Sequence, residues 1–256
     1  MMFELSPVAF FICCPLVFLA GLVDAIGGGG GLISLPAFVL AGLPMHIAIG
    51  TNKVAAMCGT ALATTRFAKN KLINFKLAFP SVICAIAGSF IGSNLSLRID
   101  EQILRIALIA VLPVVAFIVL NKKIFHDNPD AELKLDRKTY VVVCASAFLI
   151  GIYDGLYGPG TGTFLIIAFT VLAGMSIEKA NGQCKAINLA TNVTSAIVFF
   201  GNGTVILPLA LACAVCNMLG GFIGSGLVMK NGGKIVKPVI IIVLGLLTVK
   251  IISDLI

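Results

Sequence analysis

Residues 20–36 read AGLVDAIGGGGGLISLP, which places a carboxylate and five consecutive glycines inside an apolar stretch. The rest of the chain is also apolar: 59% of its 256 residues are hydrophobic, 11% are charged, and the mean hydropathy is +1.09. Soluble domains carry roughly a quarter charged residues. Because the long apolar stretches do not alternate with polar residues, we expect an all-α integral membrane protein rather than a β-barrel.

An internal repeat divides the chain. Three separated stretches of the first half align with three of the second at an offset of about 130 residues. They are GLVDAIGGGGG at 21–31 with GIYDGLYGPGTG at 151–162, LAGLPMHIAIGTNK at 40–53 with LAGMSIEKANGQCK at 172–185, and AGSFIGSNL at 87–95 with LGGFIGSGL at 219–227. We therefore predict a first transmembrane repeat at 1–120, a polar cytoplasmic connecting loop at 121–138 and a second repeat at 139–256.

About ten apolar segments, five in each repeat, predict helices. They run at 7–26, 31–42, 52–67, 76–96, 103–120, 139–157, 162–174, 185–200, 205–228 and 237–254. The loop at 66–76 is basic and its repeat partner at 199–207 is uncharged, whereas the loop at 229–237 is basic and its partner at 96–105 is balanced. Since short basic loops face the cytoplasm, equivalent loops lie on opposite sides. We expect two inverted five-helix repeats in the cell membrane with both termini outside, an arrangement typical of secondary transporters.

The second segment of each repeat is too short to span a bilayer, which indicates discontinuous helices near the membrane midplane. A helix that begins at such a break offers free amide N–H groups and the positive end of its dipole to an anion. We place the breaks after Gly31 and at 158–162. The candidate anion-binding residues are Gly28, Gly29, Gly30, Gly31, Gly158, Gly160 and Thr161. The alternative is that these small residues only allow helices to pack closely.

Lys53 and Lys185 are predicted at the starts of helices, where a lysine opposes the helix dipole. At bilayer depth a lysine costs roughly 2.5–3.5 kcal/mol. Two cations that approach the midplane from opposite sides suit a bound anion, although each lysine alternatively snorkels to the interface. Further polar side chains can bind the oxygens of an anion or join helices, and these are Asn52, Thr60, Asn188 and Asn192.

Asp24 and Asp154 are intramembrane carboxylates, which are often proton relays. Pairing with Lys53 and Lys185 and protonation by burial are the alternatives, and the sequence leaves them open. We expect no cofactor and no metal, since the CxxC at 213–216 lies mid-span without a second ligand pair. We find no catalytic motif and expect no enzyme. The net charge of +7 is explained by basic cytoplasmic loops, so we expect no nucleic-acid partner.

The acid, the Gly-rich break and the GTNK helix, repeated as GPGTG and CKAINLATN, resemble the TauE/SafE (TSUP) family of membrane proteins over essentially the whole chain. Pro159 departs from the pattern of the first half, where Gly29 stands. The resemblance implies a transporter that moves a small sulfur-containing anion, such as sulfite, a sulfonate or sulfoacetate, usually outward.

We therefore expect an exporter that works by alternating access, with a small anion and the lipid bilayer as partners. An inside-negative membrane potential would assist the export of an anion. An anion channel would use the same residues along a continuous pore. A carrier of a small anion without sulfur is a further alternative.

Overall fold

The computed structural model describes residues 7–100, 102–103, 133, 135–232, 234–235 and 238–239, and this part of the chain contains eight helices. They are α1 (Pro7–Gly27), α2 (Gly31–Leu40), α3 (Met45–Lys69), α4 (Phe75–Ser96), α5 (Arg137–Leu156), α6 (Thr161–Val171), α7 (Ile177–Gly201) and α8 (Leu207–Asn231). The predicted all-helical class is confirmed. The predicted segments at 103–120 and 237–254, both termini and most of the connecting loop lie outside the described residues.

Four of these helices, α1, α4, α5 and α8, are long and apolar enough to cross a membrane. The helices α2 and α6 have 10 and 11 residues. At about 1.5 Å per residue they reach roughly half of a hydrocarbon core that is about 30 Å thick. Each follows a long apolar helix after a short break, α2 after α1 and α6 after α5. The chain is thus a multi-pass membrane protein in which two spans are followed by short apolar helices.

The two halves of the chain pack by pairing their outer helices reciprocally. Helix α1 lies along α8, and α4 lies along α5. A methyl group added to Gly220 would lie 2.0 Å from the carbonyl oxygen of Phe18, and one added to Gly88 would lie 2.2 Å from that of Phe148. These two contacts occupy equivalent positions in the repeat. Glycine is therefore required at both crossings, because any side chain would separate the helix backbones.

The corresponding helices α3 and α7 run antiparallel across the centre of the molecule. Thr60 Oγ1 lies 3.3 Å from Asn192 Nδ2, and Thr64 Oγ1 donates a hydrogen bond of 3.0 Å to the carbonyl oxygen of Lys185. A later residue of α3 thus contacts an earlier residue of α7, as expected for antiparallel helices. The two central helices enter the site from opposite ends.

The predicted position of the two lysines at helix starts is wrong. Helix α3 begins at Met45 and α7 at Ile177, so Lys53 and Lys185 both lie about two turns inside their helices. The turns before the lysines, at 45–52 and 177–184, mix polar with apolar residues and so do not form continuous apolar segments. Polar side chains in both turns bond to the other half: Thr51 Oγ1 accepts from the amide of Ile206 at 3.1 Å, and Asn181 Nδ2 donates to the carbonyl oxygen of Ile26 at 2.9 Å.

Candidate functional site

The two Gly-rich breaks contact each other at the centre of the molecule. Helix α1 ends at Gly27, and Gly28 has a left-handed φ of +77°. A methyl group on Gly28 would lie 2.3 Å from the carbonyl carbon of Gly162. Thr163 Oγ1 donates a hydrogen bond of 2.7 Å to the carbonyl oxygen of Gly27. The predicted position of this break, after Gly31, is wrong. The break precedes Gly31, because the left-handed Gly28 ends α1 and α2 starts at Gly31.

The second break is built from Gly158 and Gly160, whose φ values are +97° and +83°. Between them, the carbonyl oxygen of Pro159 accepts a hydrogen bond of 2.7 Å from the Tyr153 hydroxyl. Irregular backbone at membrane depth needs such partners. Each break therefore has one carbonyl group that accepts a side-chain hydrogen bond just before the short helix begins, Gly27 before α2 and Pro159 before α6.

Both short helices present free amides at their starts. In the described part of the chain, the N–H groups of Gly31 and Gly162 donate to no backbone carbonyl. Both residues line the same cavity. Unpaired N–H groups at a helix start, with the positive end of the dipole, attract an anion.

The two lysines form ion pairs that cross between the halves. Lys53 Nζ lies 2.7 Å from Asp154 Oδ2, and the two side chains are 2% and 3% exposed. Lys185 Nζ lies 3.3 Å from Asp24 Oδ2, with side chains 0% and 19% exposed. Each lysine therefore pairs with the aspartate of the other repeat. Removing one partner of such a pair would leave an uncompensated buried charge.

A small polar cavity of about 30 Å³ lies between the two breaks. A cavity of roughly 10–15 Å³ on this scale holds one water, so the cavity in this conformation fits about two waters. Of the residues predicted for the site, twelve line it: Asp24, Gly28, Gly30, Gly31, Asn52, Lys53, Thr60, Asp154, Gly158, Thr161, Asn188 and Asn192. Gly29, Gly160 and Lys185 do not. The Lys185 side chain is buried behind Asp24, whereas Gly29 and Gly160 shape the breaks.

Gly162, which lies in the predicted break at 158–162, also lines the cavity, and three lining residues were not predicted at all: Ser34, Ala56 and Asn217. Asn217 had a signal, because it is an amide inside the apolar span of α8. Its Nδ2 donates to the carbonyl oxygen of Val17 at 3.4 Å. Ser34 donates to the carbonyl oxygen of Gly30 at 3.2 Å, and nothing in the pattern distinguished it or Ala56 from packing residues.

Amide side chains form one wall of the cavity. Asn192 Nδ2 lies 3.3 Å from Thr60 Oγ1 and 3.5 Å from Asn188 Oδ1. The Oδ1 atom of Asn52 is buried and accepts no hydrogen bond from the described residues. A buried polar atom without a partner costs about 1–3 kcal/mol. The amide oxygen of Asn52 can therefore accept a hydrogen bond from a ligand or a water in the cavity.

The formal charges of the site cancel. Lys53 and Lys185 contribute two positive charges, and Asp24 and Asp154 contribute two negative ones. Of the alternatives that the sequence left open for the two aspartates, this conformation shows pairing with the lysines, because folding brings the carboxylate of each repeat to the lysine of the other. Within the described residues, no group of three or more His, Cys, Asp or Glu side chains is placed to hold a metal ion.

Thr161 secures the more buried ion pair, because its Oγ1 donates a hydrogen bond of 2.7 Å to Asp154 Oδ1. Thr161→Val is expected to lower the free energy of unfolding by about 1.5–3 kcal/mol, as it removes a hydrogen bond to a buried charge. Denaturant unfolding in detergent measures the change. Thr65→Val is the control, since the exposed Thr65 donates its hydrogen bond to the carbonyl oxygen of Ala61 in its own helix. Equal effects of the two changes would contradict the role given to Thr161.

The family described as sulfite exporter TauE/SafE matches residues 13–251. The chain belongs to the TauE/SafE family. This match confirms the family resemblance that was drawn from the two acidic Gly-rich breaks and the two lysine helices. TauE/SafE proteins are membrane transporters by description, and the composition and helices of this member agree with that class.

Curated relatives of this TauE/SafE protein are similar over nearly their whole length. A probable membrane transporter protein, ORF9, of Sinorhizobium sp is 33% identical, covering 93% of this chain and 90% of the relative. A probable membrane transporter of Haemophilus influenzae is 31% identical over 93% and 92%. The probable membrane transporter YfcA of Escherichia coli K12 is 30% identical over 99% and 93%. No solved structure matches the chain.

Proposed function

We propose that this TauE/SafE transporter exports a small sulfur-containing anion, a sulfonate, sulfoacetate or sulfite, by alternating access. The observation that carries the proposal is the polar cavity at which the starts of α2 and α6 meet Lys53. The free amides of Gly31 and Gly162 would bind the oxygens of the headgroup, and Asn188, Asn192 and Thr60 would orient it. The sulfur chemistry rests on the description of the family as a sulfite exporter.

Two inverted repeats in the cell membrane, with both termini outside, are part of the proposal. The antiparallel course of α3 and α7 and the reciprocal pairing of α1 with α8 and α4 with α5 support the inversion. Such repeats place a substrate site near the midplane, where discontinuous helices meet. The rocking of one half against the other would then open the site to each side in turn.

The size of the cavity supports a carrier over a channel. A space for about two waters is smaller than any sulfonate, so the conformation has to open before an anion enters. A channel would keep a continuous polar path. Single-channel recordings separate the two: discrete current steps in planar bilayers would favour the channel.

Binding to purified protein tests the site. We expect isethionate, taurine, sulfoacetate or sulfite, at about 100 times its Kd, to raise the Tm by roughly 5–10 °C, while carboxylates of matched size do not. The variant that carries both Lys53→Met and Asp154→Asn should lose the shift without leaving a buried charge. Lys69→Ala, at the exposed end of α3, is the control.

The outcomes separate the parts of the proposal. A shift with carboxylates alone would keep the site and replace the sulfur anion by another substrate class. A shift that survives the double substitution would move the site away from Lys53. The absence of a shift with every anion would overturn the proposed function.

A further inference from the structure

The two ion pairs differ in ways that assign them different tasks. The Asp154 side chain is 3% exposed; its Oδ1 accepts a hydrogen bond of 2.7 Å from Thr161, and its Oδ2 lies 2.7 Å from Lys53 Nζ in an ion pair without hydrogen-bond geometry. The Asp24 carboxylate is 19% exposed, lines the cavity and lies 3.3 Å from its lysine. The repeat position of Thr161 is occupied by Gly31 in the first half, so Asp24 has no equivalent hydroxyl.

Neutralising each aspartate has a different consequence for its lysine. Lys185 Nζ also donates to the main-chain carbonyl oxygen of Asp24, so it keeps a partner when the Asp24 side chain is protonated. Among the described residues, Asp154 is the one ion-pair or hydrogen-bond partner of Lys53 Nζ. Protonating Asp154 would therefore leave Lys53 buried without a partner, which is strongly unfavourable. Asp24 is the carboxylate that can accept a proton with little rearrangement.

The charged and titratable groups around Asp24 come from three helices. Helix α7 presents Lys185 and the Cys184 thiol, α3 presents Lys53, and α5 presents Asp154. The short helices α2 and α6 contain no titratable side chain, and α8 contributes the amide of Asn217. When Asp24, Asp154, Lys53 and Lys185 are all ionised, the formal charge of the site is zero. When Asp24 is protonated, the site carries one positive charge.

We propose that Asp24 takes up one proton when a monoanion binds in the cavity, so that anion and proton occupy the transporter together. An anion added to a neutral buried site would leave one uncompensated negative charge beside the Asp24 carboxylate, which low dielectric surroundings penalise. A proton on Asp24 removes that repulsion and makes the site complementary to one negative charge. The inference rests on the proposed function, since it takes the cavity as the anion site.

The coupling changes what drives transport. A monoanion that moves with a proton carries no net charge, so the membrane potential does not act on the loaded transporter. The difference in pH across the membrane acts on it instead, and it favours export of the anion with its proton when the inside is the more acidic side. The repeat partner Asp154 stays ionised throughout and keeps Lys53 facing the anion.

Calorimetry of anion binding tests the proton uptake directly. Isethionate and nitrate are suitable probes, because neither titrates near neutral pH and only one contains sulfur. Binding is measured at one pH in two buffers of different ionisation enthalpy, and again across several pH values. We expect wild type to take up one proton per anion and its affinity to fall about tenfold per pH unit where Asp24 is ionised.

Two matched variants assign the proton. Asp24→Asn is expected to bind the anion with no proton uptake and with an affinity independent of pH. Thr65→Val, outside the cavity, should still take up one proton for each anion that it binds. Proton uptake that survives in Asp24→Asn, or a wild-type affinity that does not change with pH, would overturn the inference while leaving the anion site in place. If only nitrate binds, the proposed sulfur-containing substrate is refuted, and proton uptake is measured with nitrate. If neither probe binds, both proposals are overturned.

Discussion

Lys53→Met is expected to lower the free energy of unfolding by about 3–5 kcal/mol, because it leaves the Asp154 carboxylate buried without its cation. The Asp154 side chain is 3% exposed and lies on α5, in the other half of the chain from Lys53. Thr161 retains its hydrogen bond to the carboxylate but does not neutralise its charge. Denaturant unfolding in detergent, followed by a helical signal, measures the loss.

A second substitution separates the charge from the volume of the side chain. When Asp154→Asn is added to Lys53→Met, stability should return to within about 1–2 kcal/mol of wild type, since buried pairs are replaceable by uncharged residues. The coupling energy between the two positions should then be several times the measurement error. Lys69→Met, at the end of α3, should change stability by less than about 0.5 kcal/mol. Full stability of Lys53→Met alone would show that the cross-half pair does not support the fold.

Gly28→Ala is expected to lower the free energy of unfolding by roughly 2–5 kcal/mol, for two reasons. The left-handed φ of +77° costs an alanine about 1–2 kcal/mol. The added methyl group would also lie 2.3 Å from the backbone of Gly162, so the two breaks must separate, at a typical overpacking cost of about 1–3 kcal/mol. Thermal unfolding measures the effect, and anion binding should be lost with it because the starts of α2 and α6 move apart.

Gly42→Ala isolates the backbone cost. Gly42 has a φ of +88°, but a methyl group there would meet nothing within 4 Å. Gly42→Ala should therefore lower the free energy of unfolding by about 1–2 kcal/mol and should retain anion binding. If Gly28→Ala and Gly42→Ala lower the Tm equally, the contact between the two breaks contributes nothing to stability.

The sequence by itself determined that this is a helical membrane protein and which residues most of its central cavity is built from. Its composition required a bilayer, and the repeated Asp, Gly-rich break and lysine identified the family and most residues of the cavity. These features depend on local chemistry: a run of glycines ends a helix, and a span of apolar residues prefers lipid, wherever the chain later packs. The predicted segment at 31–42 starts where α2 starts, but the break was placed after Gly31 instead of before it, because five consecutive glycines do not show which one turns left-handed.

Only the tertiary structure decided how the repeated residues combine. The sequence aligned Asp24 with Asp154 and Lys53 with Lys185, but the pairs that form are Lys53 with Asp154 and Lys185 with Asp24. The antiparallel packing of α3 and α7 brings each lysine to the opposite repeat, which no local pattern encodes. It also makes the formal charge of the site neutral, a choice that the sequence had left open. Ion pairing depends on distances between distant segments, and those distances are fixed by packing alone.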